Sequence, residues 1–352
     1  MMHDQNALAR MGWHNDFLSQ LDLNELETAR PARVIDSDGR GVRVLDATGE
    51  ERRIELPSST APANRPLVGD WLIPGRDGGP GRLLERRTYL ARRAAGTAER
   101  VQPMAANVDI LFVVMGLDGD FNPSRLERYL VMAREGGVEA VAVLTKPDLA
   151  EDAGGARRSI EALPGLEGVV VLDPRHDDAA AALSAWLAAG VTVAVMGSSG
   201  VGKSTLLNRL AGREMETTGG VRKGDGKGRH TTTHRALHVL PGGAWLLDTP
   251  GMRELRLGEA AEGLSAVFED IERLAGQCRF RDCAHHHEPG CAVRAAVDDG
   301  RLDPRRLRNW QKLLREQQRL AETQAEQRER HRDFHRYARK VQRAKQEQTG
   351  RS

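Results

Sequence analysis

Between residues 191 and 211 the chain reads Val191-Thr192-Val193-Ala194-Val195-Met196, then Gly197-Ser198-Ser199-Gly200-Val201-Gly202-Lys203-Ser204, then a helical stretch to Ala211. The middle segment matches the phosphate-binding pattern G-x-x-x-x-G-K-[ST]. Such a loop needs a strand to deliver it, glycines that let backbone N–H groups close around phosphate oxygens, and a helix that starts where it ends. All three occur in order, so the stretch predicts a strand–loop–helix unit of an α/β fold. Residues 197–205, ending at Thr205, are candidate nucleotide contacts. Lys203 is placed to reach β- and γ-phosphates, and the Ser204 hydroxyl to ligate Mg²⁺.

The surrounding chain supplies the rest of that sheet. Ile110–Met115, Ala140–Leu144 and Val169–Leu172 are short continuous apolar runs. Helical patterns separate them at Pro123–Glu135, Gly155–Leu163 and Ala179–Ala188. Apolar strands alternating with helices read as a parallel sheet covered on both faces. Ala236–Leu240 and Ala244–Leu247 are two further strand candidates.

Two motifs sit at predicted strand ends. Asp248-Thr249-Pro250-Gly251 follows Ala244–Leu247, 44 residues after Ser204. Asp248 there can hold Mg²⁺ through water, and the Gly251 N–H can sense a γ-phosphate. Thr145-Lys146-Pro147-Asp148 follows Ala140–Leu144. Guanine presents two donors, N1–H and the 2-amino group, and the Asp148 carboxylate can accept both. The Lys146 stem can lie over the base plane. The base-reading motif precedes the phosphate loop, the reverse of ordinary GTPases. Between loop and Asp248 lies Gly224–Thr233, GDGKGRHTTT, where a switch segment belongs. Thr231 or Thr232 is the candidate to close on Mg²⁺ and the γ-phosphate.

The three cysteines lie within 14 residues, at Cys278, Cys283 and Cys291. That is too few, and odd in number, for a disulfide framework. With His285 they form C-x4-C-x-H-x5-C, a closed tetrahedral zinc set and hence a structural site. His286 and His287 are neighbours able to take the place of His285.

Upstream, residues 31–100 read differently. Apolar alternation is broken by Ser37-Asp38-Gly39 and Thr48-Gly49, and Val68–Ile73 and Gly81–Leu84 follow a Pro-rich loop. Four or five short strands in this span predict a small β-barrel. Residues 1–30 carry weak helical periodicity around Phe17, Leu18, Leu21, Leu23 and Leu26. The domain plan is thus an extension (1–30), a barrel (31–100), an α/β domain (101–258), an α-rich zinc domain (259–320) and a basic tail (321–352) that is a free helix or disordered.

Charge and composition bear on partner and compartment. The net charge is only +2, yet residues 301–352 hold 16 Lys/Arg against 7 Asp/Glu. A tail of +9 on a body of −7 points to a polyanionic partner or to a solvated helix. No apolar run approaches the ~18 residues that span a bilayer. The N-terminus lacks the apolar segment of a secretory signal, which favours the cytoplasm. Nothing in the pattern demands a dimer, so a monomer is expected.

Taken together, GSSGVGKST, GDGKGRHTTT, DTPG, TKPD placed first and the C-x4-C-x-H-x5-C cluster placed last resemble the RsgA family. These are circularly permuted GTPases that act in small ribosomal subunit assembly. The resemblance runs from about Arg33 to Trp310 and includes Val68-Gly69-Asp70-Trp71 and Ala106-Asn107-Val108-Asp109. It implies an OB-fold, a permuted GTPase domain and a zinc domain. It implies GTP and GDP as ligands, and binding to the small (30S) subunit and its rRNA. The subunit would stimulate slow hydrolysis, coupled to release during late maturation.

The chain departs from the pattern in three places. Thr145 stands where many GTPases have Asn. Asp173-Pro174-Arg175 stands where a Ser-Ala segment usually supports guanine. Met252 and Arg253 follow the Asp-Thr-Pro-Gly motif, with no Gln to position water. His230 is the candidate for that catalytic task; equally, it contacts RNA or solvent. Two other readings remain open. A P-loop ATPase or kinase leaves Asp148 without a role, and a non-hydrolysing GTP-regulated RNA-binding adaptor would bind RNA through the barrel and zinc module.

Overall fold

The computed structural model describes residues 5–38, 40–61, 64–75, 79, 81–93, 101–213, 235–248 and 260–321. His230, Thr231, Thr232, Gly251 and the tail after residue 321 lie outside them.

Three short helices open the chain: α1 (Gln5–Arg10), α2 (Asn15–Leu18) and α3 (Leu23–Thr28). The weak helical periodicity is divided between α2 and α3 because the chain turns at Gln20-Leu21 and Asp22 caps a new helix, accepting from the Glu25 amide. Phe17 is fully buried beside the Trp13 and Trp71 rings, whereas Leu23 is 83% exposed.

Strands β1 (Ala32–Ser37), β2 (Gly41–Asp46), β3 (Glu51–Glu55), β4 (Trp71–Ile73) and β5 (Arg82–Leu83) form an antiparallel sheet of OB type, ordered β3-β2-β1-β4-β5. Alternate residues Ala32, Val34, Val42, Val44, Ile54 and Leu72 fill its interior. A hairpin follows, β6 (Tyr89–Arg93) with β7 (Val101–Ala106).

The α/β unit comprises β8 (Ile110–Gly116), α4 (Pro123–Glu135), β9 (Glu139–Thr145), α5 (Ala153–Glu161), β10 (Leu166–Val171), α6 (Ala179–Ala182), β11 (Thr192–Gly197), α7 (Lys203–Ala211), β12 (Arg235–Val239) and β13 (Trp245–Asp248). The strand order is β10-β9-β8-β11-β13-β12, all parallel except β12. Period-2 alternation explains the continuous apolar runs. Ile110, Phe112 and Val114 face the core under α7, while Leu111, Val113 and Met115 face the core under α4. The helix expected over Ala179–Ala188 is shorter than its pattern. It stops at Ala182, and a 3₁₀ turn at Ser184–Trp186 seats the Trp186 ring where any Cβ on Gly168 would clash, at 2.6 Å.

Barrel and α/β sheet are continuous, because β1 pairs with β12 through Asp36–Ala236 and Ser37–Arg235. Arg33 clasps the junction. It is fully buried, donates to the Met11 carbonyl and the Thr192 hydroxyl, and lies against the Trp71 and Trp245 rings.

The C-terminal part contains α8 (Ala261–Val267), α9 (Glu269–Ala275), α10 (Ala292–Asp298) and α11 (304–321). Leu307, Trp310 and Leu313 are buried, as their helical spacing predicts. Buried Glu127 of α4 accepts from Arg305, Arg306 and Asn309 of α11, and Arg306 also forks onto Asp270 of α9. Among the described residues no helix is long and apolar enough to cross a membrane.

Candidate functional site

From β8 the chain steps outward to β9 and β10; from β11 it steps the other way, to β13. The sheet therefore reverses direction between β8 and β11. In open α/β sheets, ligands bind at the carboxyl ends of the strands flanking such a point. Four predicted segments converge there: the phosphate loop after β11, the Thr145 turn after β9, Asp173–Arg175 after β10, and the backbone of Asp248 ending β13 beside β11.

The phosphate loop leaves β11 tightly against β8. A Cβ on Gly197 would sit 2.1 Å from the Val114 carbonyl oxygen, so only glycine fits. Gly202 adopts φ +92° and caps α7, whose first-turn amides face the loop. Val201 is buried and anchors the loop, while Ser199, Gly200 and Ser204 are exposed and Thr205 is half-buried. Lys203 folds back, its Nζ donating to the Ser198 carbonyl of its own loop. The Ser198 hydroxyl meets Arg125 of α4, which also pairs with Asp120.

The Thr145 turn is bonded to that loop. The fully buried Thr145 hydroxyl donates to the Val201 carbonyl at 2.7 Å. Thr145 thus ties the two motifs together instead of facing the crevice. Lys146 takes a left-handed conformation, φ 56°, which turns its Nζ onto Asp118 Oδ2 at 2.5 Å. The Lys146 ammonium holds the Asp118 carboxyl below the usual range.

Asp148 lies exposed in the 3₁₀ turn Pro147–Leu149 and accepts from Arg175 at 3.0 Å. Arg175 also grips Asp173, through Nε at 2.9 Å and NH2 at 2.7 Å, and holds its carboxyl down to about 2. Arg209 of α7 fixes this segment by donating to the Pro174 and Arg175 carbonyls. Pro174 and Thr145 both lie 3.8 Å from where a Cβ on Gly202 would stand, so all three segments meet.

A second cluster lies between α9 and α10. Cys278, Cys283, His285 and Cys291 present ligand atoms within 4.8 Å of one another, a group able to hold a metal ion. His285 Nδ1 is 3.6 Å from Cys278 Sγ and 3.5 Å from Cys291 Sγ, while His286 and His287 are exposed. Burial lowers the His285 pKa and favours the neutral, ligating imidazole. The Glu288 carboxylate accepts from the Ala284, His286 and His287 amides and shapes the turn in which His285 reaches φ 59°.

Sequence reasoning assigned no role to Asp118, Arg125, Arg175 or Glu288, although Arg175 lies in the segment it places at the guanine-supporting position. Only Glu288 sits inside a motif; the others reach the site across 28, 73 and 27 residues of chain.

The comparisons agree with this geometry. A family model described as RsgA GTPase matches residues 83–258. An ABC transporter model matches residues 181–347, a span that contains the same phosphate loop. Small ribosomal subunit biogenesis GTPase RsgA 2 of Vibrio vulnificus is 46% identical, covering 97% of this chain and 96% of the relative. Small ribosomal subunit biogenesis GTPase RsgA of Xylella fastidiosa strain M12 is 52% identical over 81% of this chain and 87% of its own. The crystal structure of YjeQ from Thermotoga maritima superposes with a TM-score of 0.60 at 27% identity, covering 82% of this chain and 99% of that one. YloQ, a circularly permuted GTPase, gives 0.56 at 22% identity over 85% and 98%, a likeness of fold. With this identity over nearly its whole length, and with the base-reading turn preceding the phosphate loop, the chain belongs to the RsgA GTPase family.

Proposed function

We propose that this GTPase acts on the small (30S) ribosomal subunit during late maturation, with hydrolysis stimulated by the subunit and coupled to release. The observation that carries the reading is the Thr145–Val201 hydrogen bond at 2.7 Å, which joins a guanine-reading turn to a phosphate loop. The names of the relatives, which specify small ribosomal subunit biogenesis, support the partner.

In this reading Asp148 accepts from guanine N1–H and the 2-amino group, and the Lys146 stem covers the base. Amides of residues 198–202 and the Lys203 ammonium hold the phosphates. Ser204 and Asp248 would hold Mg²⁺, which supplies charge neutralisation between β- and γ-phosphates. Thr231 or Thr232 closes on the γ-phosphate, the Gly251 N–H senses it, and His230 orients water. Full subunit-stimulated turnover in a His230→Ala protein with unchanged binding would remove that last assignment.

The metal in the cysteine cluster is zinc in this reading. Tetrahedral ligation at Zn–S of about 2.3 Å and Zn–N of about 2.0–2.1 Å makes S···S edges of about 3.8 Å and S···N edges of about 3.5–3.6 Å. Cys278 and Cys291 Sγ are 3.9 Å apart, and the S···N distances are 3.6 and 3.5 Å, so these three donors fit, with Cys283 the fourth, all within 4.8 Å of one another. Four protein ligands leave no open position, so its role is structural. In this reading the chain is divided into an extension (1–30), an OB-fold (31–100), a permuted GTPase domain (101–258), a zinc domain (259–320) and a basic tail (321–352). OB-type sheet, zinc module and tail meet rRNA phosphates, and the protein works as a cytoplasmic monomer.

The test is phosphate release from GTP with and without purified small subunits. Stimulation by about tenfold or more, at least ~1.4 kcal/mol off the barrier, is expected. A rate indifferent to subunits would sink the partner assignment.

A further inference from the structure

A carboxylate alone cannot read guanine. The guanine edge carries donors at N1 and the 2-amino group but an acceptor at O6. Asp148 matches the donors and repels the acceptor, so a donor must stand beside it.

The backbone of Asp173–Arg175, the segment beside Asp148, offers none. The Asp173 amide donates to Asp177 Oδ2 at 2.6 Å, and the Arg175 amide donates to Asp173 Oδ1 at 2.9 Å. Pro174, between them, has no amide hydrogen. The side chain of Arg175 is the donor that remains. Its Nε and NH2 are held by Asp173, its carbonyl by Arg209, and its NH2 lies 3.0 Å from Asp148 Oδ2. Among the described residues NH1 has no hydrogen-bond partner.

We propose that Arg175 is the O6-reading residue of the nucleotide site. Asp148 and Arg175 then form an acceptor–donor edge that mirrors the donor–acceptor edge of guanine. Adenine mismatches at both ends: its N1 carries no proton for Asp148, and its 6-amino group points a donor at a guanidinium. Asp173 and Arg209 keep the guanidinium in place before nucleotide arrives. The opposite role for the same contact is a plug, with Arg175 occupying Asp148 until guanine expels it.

This inference rests on the guanine reading above, and the test separates the two. The full-length protein is titrated with GDP, ADP and 6-thio-GDP, which keeps N1–H and the 2-amino group but replaces O6 with sulfur, a weak acceptor. Unmodified protein prefers GDP to both. Arg175→Ala weakens GDP binding by about tenfold or more, the range for a hydrogen bond to a charged group, and erases the preference for GDP over 6-thio-GDP. Arg175→Lys, which retains one donor, keeps part of that preference. Asp148→Asn shifts preference from GDP to xanthosine diphosphate, because an amide can donate to the 2-oxo group. If Arg175→Ala binds GDP as well or better, or keeps the GDP to 6-thio-GDP ratio, the O6 assignment is wrong even where Asp148→Asn behaves as stated. Failure of the unmodified protein to favour GDP over ADP overturns the guanine reading itself, and the inference with it.

Discussion

The metal cluster and the nucleotide crevice are both polar sites, but they are built in opposite ways. In the cluster, four ligand atoms already lie within 4.8 Å, on a turn whose amides are tied to Glu288. In the crevice each cation among the described residues has a protein partner: Lys203 the Ser198 carbonyl, Lys146 Asp118, Arg125 Ser198 and Asp120, Arg175 Asp148 and Asp173. Metal binding would add a ligand shared by four side chains that already stand together, their hydrogen bonds to the protein backbone being long ones through sulfur. Nucleotide binding exchanges one set of hydrogen bonds for another. A structural site therefore contributes its binding energy to folding outright, whereas an exchange site leaves a small net difference that a partner can tip.

The comparison breaks most visibly at Cys291. Cys291→Ala should lose stoichiometric metal by elemental analysis and open residues 276–300 to protease, because structural zinc sites carry about 10–16 kcal/mol of apparent binding energy. A metal-free but equally protected protein would make the cluster incidental. Next in size is the mount of that module on α4. Glu127→Ala removes the buried carboxylate shared by Arg305, Arg306 and Asn309 while leaving Arg306 on Asp270 and Arg305 on Asp303. Denaturant unfolding should show a loss of about 1.5–3 kcal/mol, the worth of hydrogen bonds to a charged group.

In the crevice the same kind of change should be nearly silent for folding. Lys203→Ala should leave the unfolding midpoint within about 0.5 kcal/mol, as for surface substitutions. Its GTP affinity should nevertheless fall by about 1.5–3 kcal/mol in calorimetry, the worth of hydrogen bonds to a charged group. A large stability loss without an affinity loss would erase the contrast.

The smallest effect concerns protonation. Arg175 holds the Asp173 carboxyl at about 2, below its ordinary 3.8. Its contribution is therefore complete above about pH 3.8 and is lost as pH falls toward about 2. Carbon-detected NMR titration of Asp173 in Arg175→Ala should return the midpoint toward 3.8. An unchanged midpoint would show that Arg175 does not hold this segment.

How far the sequence could be read follows from chain distance. The Gly197–Ser204 loop and the Cys278–Cys291 cluster are contiguous, and their chemistry is fixed by spacing along one strand end or one turn. Helices α4 and α7 run over the residues their patterns predict, because Asn122 with Pro123 and Gly202 with Lys203 mark their starts. The helical periodicity of residues 1–30 is weak because burial there is set by Trp13 and Trp71 meeting Phe17 in space, not by a helical repeat. Thr145 is legible in sequence as part of the base-reading motif, but that its hydroxyl serves the Val201 carbonyl, 56 residues away, is not.

By itself, then, the sequence determined the α/β architecture with barrel and cysteine module, the order of the motifs and which four residues come together as a group able to hold a metal ion. Each of these depends on neighbours a few residues apart, where rise per residue and turn geometry set who can meet. Only the tertiary structure decided that β8 and β11 flank the reversal of the sheet, that α4 carries Arg125 to the phosphate loop and Glu127 to the C-terminal helix, and that Arg175 stands against Asp148. Those pairings join residues 27 to 179 positions apart, and a charged side chain gives no sign in sequence of which distant carboxylate the packed sheet will bring to it.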